Sequence, residues 1–150
     1  MARDFCRCGI AGWCLEILFT ASDSLWIGDW KLMGKTSLLM FPIYGLGALL
    51  RPIEETADRW LGETEAFFGG GTKPGRILRH GLIDMILIFT AEYLIGSGLK
   101  ALGICPWDYS VFPDNIHGVI RLAFAPLWFG TGLLLEWIAA GNDRGSASVS

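Results

Sequence analysis

The run LGICPWDYSVFPDNIHGVIRLAFAPLWFGTGLLLE, Leu102 to Glu136, decides the class of this chain. A polar loop carrying Trp107, Asp108, Tyr109, Asp114 and Asn115 leads directly into an apolar segment. Arg121 lies near one end of that segment and Glu136 near the other. Working outward, three more apolar stretches precede it. The expected spans are residues 9–24, 34–50, 81–104 and 116–140. The last two reach the roughly 20 residues that cross a hydrocarbon core, whereas the first two are short and call for tilt or local thinning. Backbone polar groups in lipid must satisfy one another, so these spans are helices. The expected fold is an all-α integral membrane protein with about four transmembrane helices.

Composition agrees. Of 150 residues, 52% are hydrophobic and 18% charged, against roughly 25% charged in soluble domains. Mean hydropathy is +0.43. The 20 glycines and 7 tryptophans suit apolar helices with aromatic ends. A net charge of -3 argues against a nucleic-acid partner. Glu16 interrupts the first apolar stretch, which argues for a retained span over a cleaved leader. Cys6, Cys8, Cys14 and Cys105 form no CxxC pair, and no cofactor or metal motif is present. The run Gly28 to Thr36 ends in Gly-Lys-Thr but lacks the spaced first glycine of a phosphate loop.

Residues 51–80 are charged and then glycine-rich. Ile53, Ala57, Trp60 and Leu61 recur at helical spacing against Glu54, Glu55, Asp58 and Arg59, which predicts an amphipathic helix on the membrane surface, followed by a loose linker. Residues 141–150 read as a flexible tail. Eight of the twelve Lys and Arg residues fall in the N-terminus, this connection and the tail. The positive-inside rule then places both termini and the connection in the cytoplasm of a plasma-membrane protein.

The two halves share an order of features. Glu16, Trp30-Lys31, Gly34, Pro42 and Tyr44-Gly45 are matched by Glu92, Trp107-Asp108, Gly118, Pro126 and Phe129-Gly130. This order predicts two repeated helical hairpins in parallel arrangement, with Pro42 and Pro126 kinking the second and fourth spans.

Ionisable groups within apolar segments mark function, since even a lenient insertion scale charges about 2.5–3.5 kcal/mol for Asp, Arg or Lys at mid-helix. Glu16 and Glu92 lie deepest. The expected site has Glu92 and Arg121 as its floor and Trp107, Asp108, Tyr109 and Asn115 as its outer wall. Glu16, Lys35 and Tyr44 are the first-half contribution. His117 reads as a lone interfacial residue. A Glu–Arg pair serving only to fix helix register accounts for the same residues.

Gly12-Trp13, Glu16 and Pro42-Ile43-Tyr44-Gly45-Leu46-Gly47-Ala48 resemble the first half of a bacterial family labelled "putative ABC-transporter type IV permease". Glu92, Trp107-Asp108-Tyr109-Ser110, Asn115, Gly118, Arg121 and Trp128 resemble its second half. The run Cys105 to Ser110 is also similar to the animal transmembrane protein 229 family. Met33-Gly34-Lys35 stands where the bacterial pattern has Arg-Gly, so no guanidinium role carries to that position. The resemblance implies a multi-span permease component that needs a separate ATPase subunit. Three functions stay open: transport of a small polar solute, ion or proton by a homo-oligomer, most simply a dimer; a membrane-embedded enzyme acting on a lipid or lipid-linked substrate; and a structural or assembly subunit.

Overall fold

The computed structural model describes residues 1–26, 28–61 and 72–140. The glycine-rich part of the predicted linker and the predicted tail lie outside the described residues. The protein is mostly helical: α1 (Ala2–Trp26), α2 (Met40–Gly45), a 3-10 turn (Leu46–Leu49), α3 (Leu50–Leu61), α4 (Lys73–Ala101) and α5 (Ala125–Ala140). Its one described sheet is a hairpin of β1 (Asn115–Ile116) and β2 (Ile120–Arg121), antiparallel with Ile116 opposite Ile120. Three helical stretches are long and apolar enough to cross a membrane: Ala2–Trp26, Lys73–Ala101 and Leu122–Ala140. They expose Leu18, Leu25, Ile86, Leu94 and Trp137, as lipid-facing surfaces do.

The chain forms two compact units, Met1–Arg51 with the chain from Leu135, and Pro52–Leu134. In the first, α1 presents Trp13, Glu16 and Thr20 along one face, at i, i+3 and i+7. These side chains hold an extended segment. The Trp13 indole donates to the Ser37 carbonyl at 3.0 Å, and Thr36 Oγ1 donates to Glu16 Oε2 at 2.7 Å. Thr20 Oγ1 accepts from the Lys35 amide at 2.7 Å and donates to the Lys35 carbonyl at 2.9 Å. The predicted second span, 34–50, is therefore built in pieces: this extended run, then α2, the 3-10 turn and the start of α3. α2 packs on α1 through rings, with Phe41 tilted against Trp13 at 4.9 Å and edge-on to Phe5 at 6.0 Å.

In the second unit, Thr72 caps α4 by accepting from the Gly75 amide at 3.3 Å, with Pro74 in the first turn. The helix ends in a Schellman motif. Gly103, at φ 71°, donates to the Lys100 carbonyl at 3.0 Å, and Ile104 donates to Leu99 at 3.0 Å. α5 packs on α4 in this unit, with the Asp84 side chain against Gly132 and the Phe129 ring against Gly81.

Two expectations are corrected. Neither proline kinks a helix: Pro42 is the third residue of α2 and Pro126 the second of α5. There the amides have no intrahelical acceptor, so a missing N–H costs nothing. The fourth helix also starts nine residues later than residue 116, at Ala125. The polar side chains of Asp114 and Asn115 claim the intervening backbone for a turn.

Candidate functional site

The loop after α4 folds as a cap tied down by its own polar side chains. Asp108 Oδ1 accepts from the Ser110 amide at 3.0 Å and from Ser110 Oγ at 2.5 Å. Lys100, in the last turn of α4, reaches the His117 carbonyl at 3.1 Å and stands 3.6 Å from Asp108 Oδ1. The Tyr109 amide donates to the Gly118 carbonyl at 2.8 Å, joining loop to hairpin. Asn115 spans the hairpin turn: its amide nitrogen donates to the Phe112 carbonyl at 2.5 Å, and its oxygen accepts from the Gly118 amide at 2.8 Å. Trp107 pins the loop to the turn through an N–H bond to the Val119 carbonyl at 3.0 Å. His117 is not alone; its Nδ1 meets the Tyr93 hydroxyl at 3.0 Å.

The Ser110 hydroxyl, then the Ser110 amide and the charge of Lys100, lower the pKa of Asp108 below its ordinary value. Because the folded pKa is depressed, the stabilisation is present above the unfolded value of about 3.9 and is lost as pH falls through the folded one. Asp108→Asn is therefore expected to lower the melting temperature slightly at neutral pH. The gap between variant and parent should close as melts are taken below about pH 4. A gap independent of pH would contradict this role.

Arg121 and Asp114 join the cap to α5. Asp114 accepts from the Leu122 amide through its carbonyl at 3.1 Å and from the Ala123 amide through Oδ2 at 2.7 Å. Arg121 Nε lies 3.7 Å from Asp114 Oδ1. Its guanidinium carbon sits 3.6 Å from the centre of the Phe112 ring and 4.8 Å from that of Phe124.

Beneath the cap lies Glu92, on the buried face of α4 and 9% exposed. Trp128 Nε1 donates to Glu92 Oε2 at 3.0 Å, and the Tyr109 side chain also hydrogen-bonds the carboxylate. Phe124 stands edge-on to Tyr109 at 5.4 Å and to Trp128 at 6.3 Å. Arg121 and Glu92 are thus linked through Phe124 and the two rings that hold Glu92, while the arginine's charge is met by Asp114.

Of the predicted site residues, Glu92, Trp107, Asp108, Tyr109, Asn115 and Arg121 come together in the second unit. Glu16, Lys35 and Tyr44 belong to the first. There Glu16 holds Thr36, the Lys35 backbone is held by Thr20, and Tyr44 lies on Gly12.

Sequence reasoning missed Trp128, Phe112 and Phe124. One signal was available, since an indole N–H inside an apolar segment must find an acceptor, and Glu92 is a carboxylate inside another. On α3, Trp60 is 84% exposed, as the apolar side of a membrane-surface helix is, while Glu54 is only 1% exposed. The polar face of α3 meets the start of α4 instead: His80 Nδ1 is 3.3 Å from Glu54 Oε2, His80 Nε2 is 3.3 Å from Asp58 Oδ2, and Arg79 pairs with Asp58. His80→Ala is expected to destabilise this joint by about 1–3 kcal/mol. Hydrogen exchange should then rise across Leu50–Leu61 but not in the α4 core; unchanged protection of α3 would contradict the joint.

A family model described as "Putative ABC-transporter type IV" matches residues 4–142. No solved structure matches the chain.

Proposed function

We propose, from the premise that this chain belongs to the "putative ABC-transporter type IV" family, that it is a membrane transport component handling a small polar solute, ion or proton at Glu92. The carrying observation is the buried Glu92 carboxylate on a helix long and apolar enough to cross a membrane, held by Trp128 at 3.0 Å beneath an ordered polar cap. An ionisable group at membrane depth is retained at a cost, and its usual reason is function. Arg121 tunes the same aromatic wall, while Trp107, Asp108, Tyr109 and Asn115 form the rim through which solute enters.

Glu16, Lys35 and Tyr44 form the first-half counterpart. The asymmetry of Lys and Arg puts both termini in the cytoplasm, so the cap faces outward. Few spans per chain favour a homo-oligomer, a dimer in the simplest case, and an ATPase subunit supplies the energy. The test is counterflow in proteoliposomes, which needs no ATPase, across a panel of small cations, anions and neutral polar solutes. One class is expected to exchange. Absence of exchange for every class, with folded protein in the vesicles, would overturn the proposal.

A further inference from the structure

Two rings hold one carboxylate and a third packs on both of them. Trp128 and Tyr109 hydrogen-bond Glu92, and Phe124 stands edge-on to both. Among the described residues, no cationic side chain lies within ion-pair distance of Glu92. The two cations of the cap are engaged elsewhere, Arg121 at Asp114 and Lys100 at Asp108 and the His117 carbonyl. Phe124 already takes a cation, since the Arg121 guanidinium carbon lies 4.8 Å from its ring centre.

We infer that Glu92, Trp128, Tyr109 and Phe124 bind the cationic head of a small organic ammonium or guanidinium compound. This rests on the transport reading above and narrows its solute to organic cations. The sign follows from the charges. An anion would oppose ionisation of this carboxyl at low dielectric, where like charges repel strongly, and a neutral polar solute would do little to support it. A cation is attracted both by the carboxylate and by the faces of the rings, with Trp the best partner of the three. Binding exchanges donors. The indole N–H can only donate, so Trp128 releases Glu92 Oε2 and offers its ring face. The Tyr109 oxygen can accept from the N–H of a primary ammonium or a guanidinium, whereas a quaternary head, which has no N–H, is held by the carboxylate and the ring faces alone.

The experiment uses the full chain in detergent, radiolabelled choline as probe, and 3,3-dimethyl-1-butanol as its uncharged isostere. Choline is expected to bind saturably, and the isostere is expected not to compete. Glu92→Gln should weaken binding about tenfold or more, with Glu92→Asp, which keeps the charge, retaining part of it. Phe124→Leu should weaken it by a smaller factor. No saturable binding of choline, methylguanidinium or tetraethylammonium up to about 1 mM would overturn the inference. So would equal competition by the isostere, or choline binding indifferent to Glu92→Gln. Binding in detergent does not depend on flux. Choline binding without counterflow would sink the transport reading alone, and counterflow of an anion or a neutral solute without choline binding would sink this inference alone.

Discussion

Glu92→Gln is expected to abolish solute counterflow while the protein still inserts and folds. The amide has nearly the shape of the carboxylate. Its oxygen can still accept from the Trp128 indole, now 3.0 Å from Glu92 Oε2, and its NH2 can donate to the Tyr109 oxygen. Packing around α4 therefore survives. What disappears is the charge, and hydrogen bonds to charged groups are worth about 1.5–3 kcal/mol against roughly half that for neutral ones. A loss of about 3 kcal/mol at the step that handles solute corresponds to roughly a hundredfold in rate. Counterflow in proteoliposomes, with a melt in detergent as the folding control, measures both halves of the expectation. Full counterflow by the variant would remove Glu92 from the mechanism and return it to a structural role.

Gly12→Val is expected to destabilise the first unit strongly. Gly12 is buried on α1 beneath Tyr44, and a Cβ there would overlap the Cβ, Cγ and Cδ1 atoms of that side chain. Those atoms are the root of the ring, so rotation of a flexible tip gives no relief. Phe41 fills the neighbouring space against Trp13. Overpacking of this kind costs about 1–3 kcal/mol and more where nothing gives way, so about 3 kcal/mol or above is expected here. A clear fall in melting temperature and yield should follow. Tyr44→Ala in the same chain should restore much of it by vacating the space. An unchanged melt for Gly12→Val, or no rescue by the second substitution, would show that α2 does not seat on α1 at this point.

The membrane class, the helices around Glu16 and Glu92, and the break into a polar loop at Trp107–Asp108–Tyr109 were legible because they depend on local properties. Hydropathy summed over a span, an acid that breaks it, and turn formers with short polar side chains declare themselves without a partner. The end of the third span was placed within a few residues, since Lys100 and Gly103 carry the ordinary marks of a helix C-terminus. The start of the fourth was not. Residues 116–124 are apolar enough for helix, but Asp114 and Asn115 bind their backbone and turn it into a hairpin and a 3-10 turn.

Sequence by itself determined the membrane class of this chain, which of its apolar segments carry carboxylates, and where the polar loop before the last apolar segment lies. Hydrophobic burial and backbone satisfaction in lipid act on each segment separately, so composition and spacing suffice. Only the tertiary structure decided partners. Arg121 faces Asp114 and two phenylalanines, Glu92 faces Trp128 and Tyr109, and Glu54 turns inward to His80 while Trp60 turns out. These choices depend on which side chains from distant segments reach the same few ångströms, a competition among hydrogen bonds that no single stretch of the chain records.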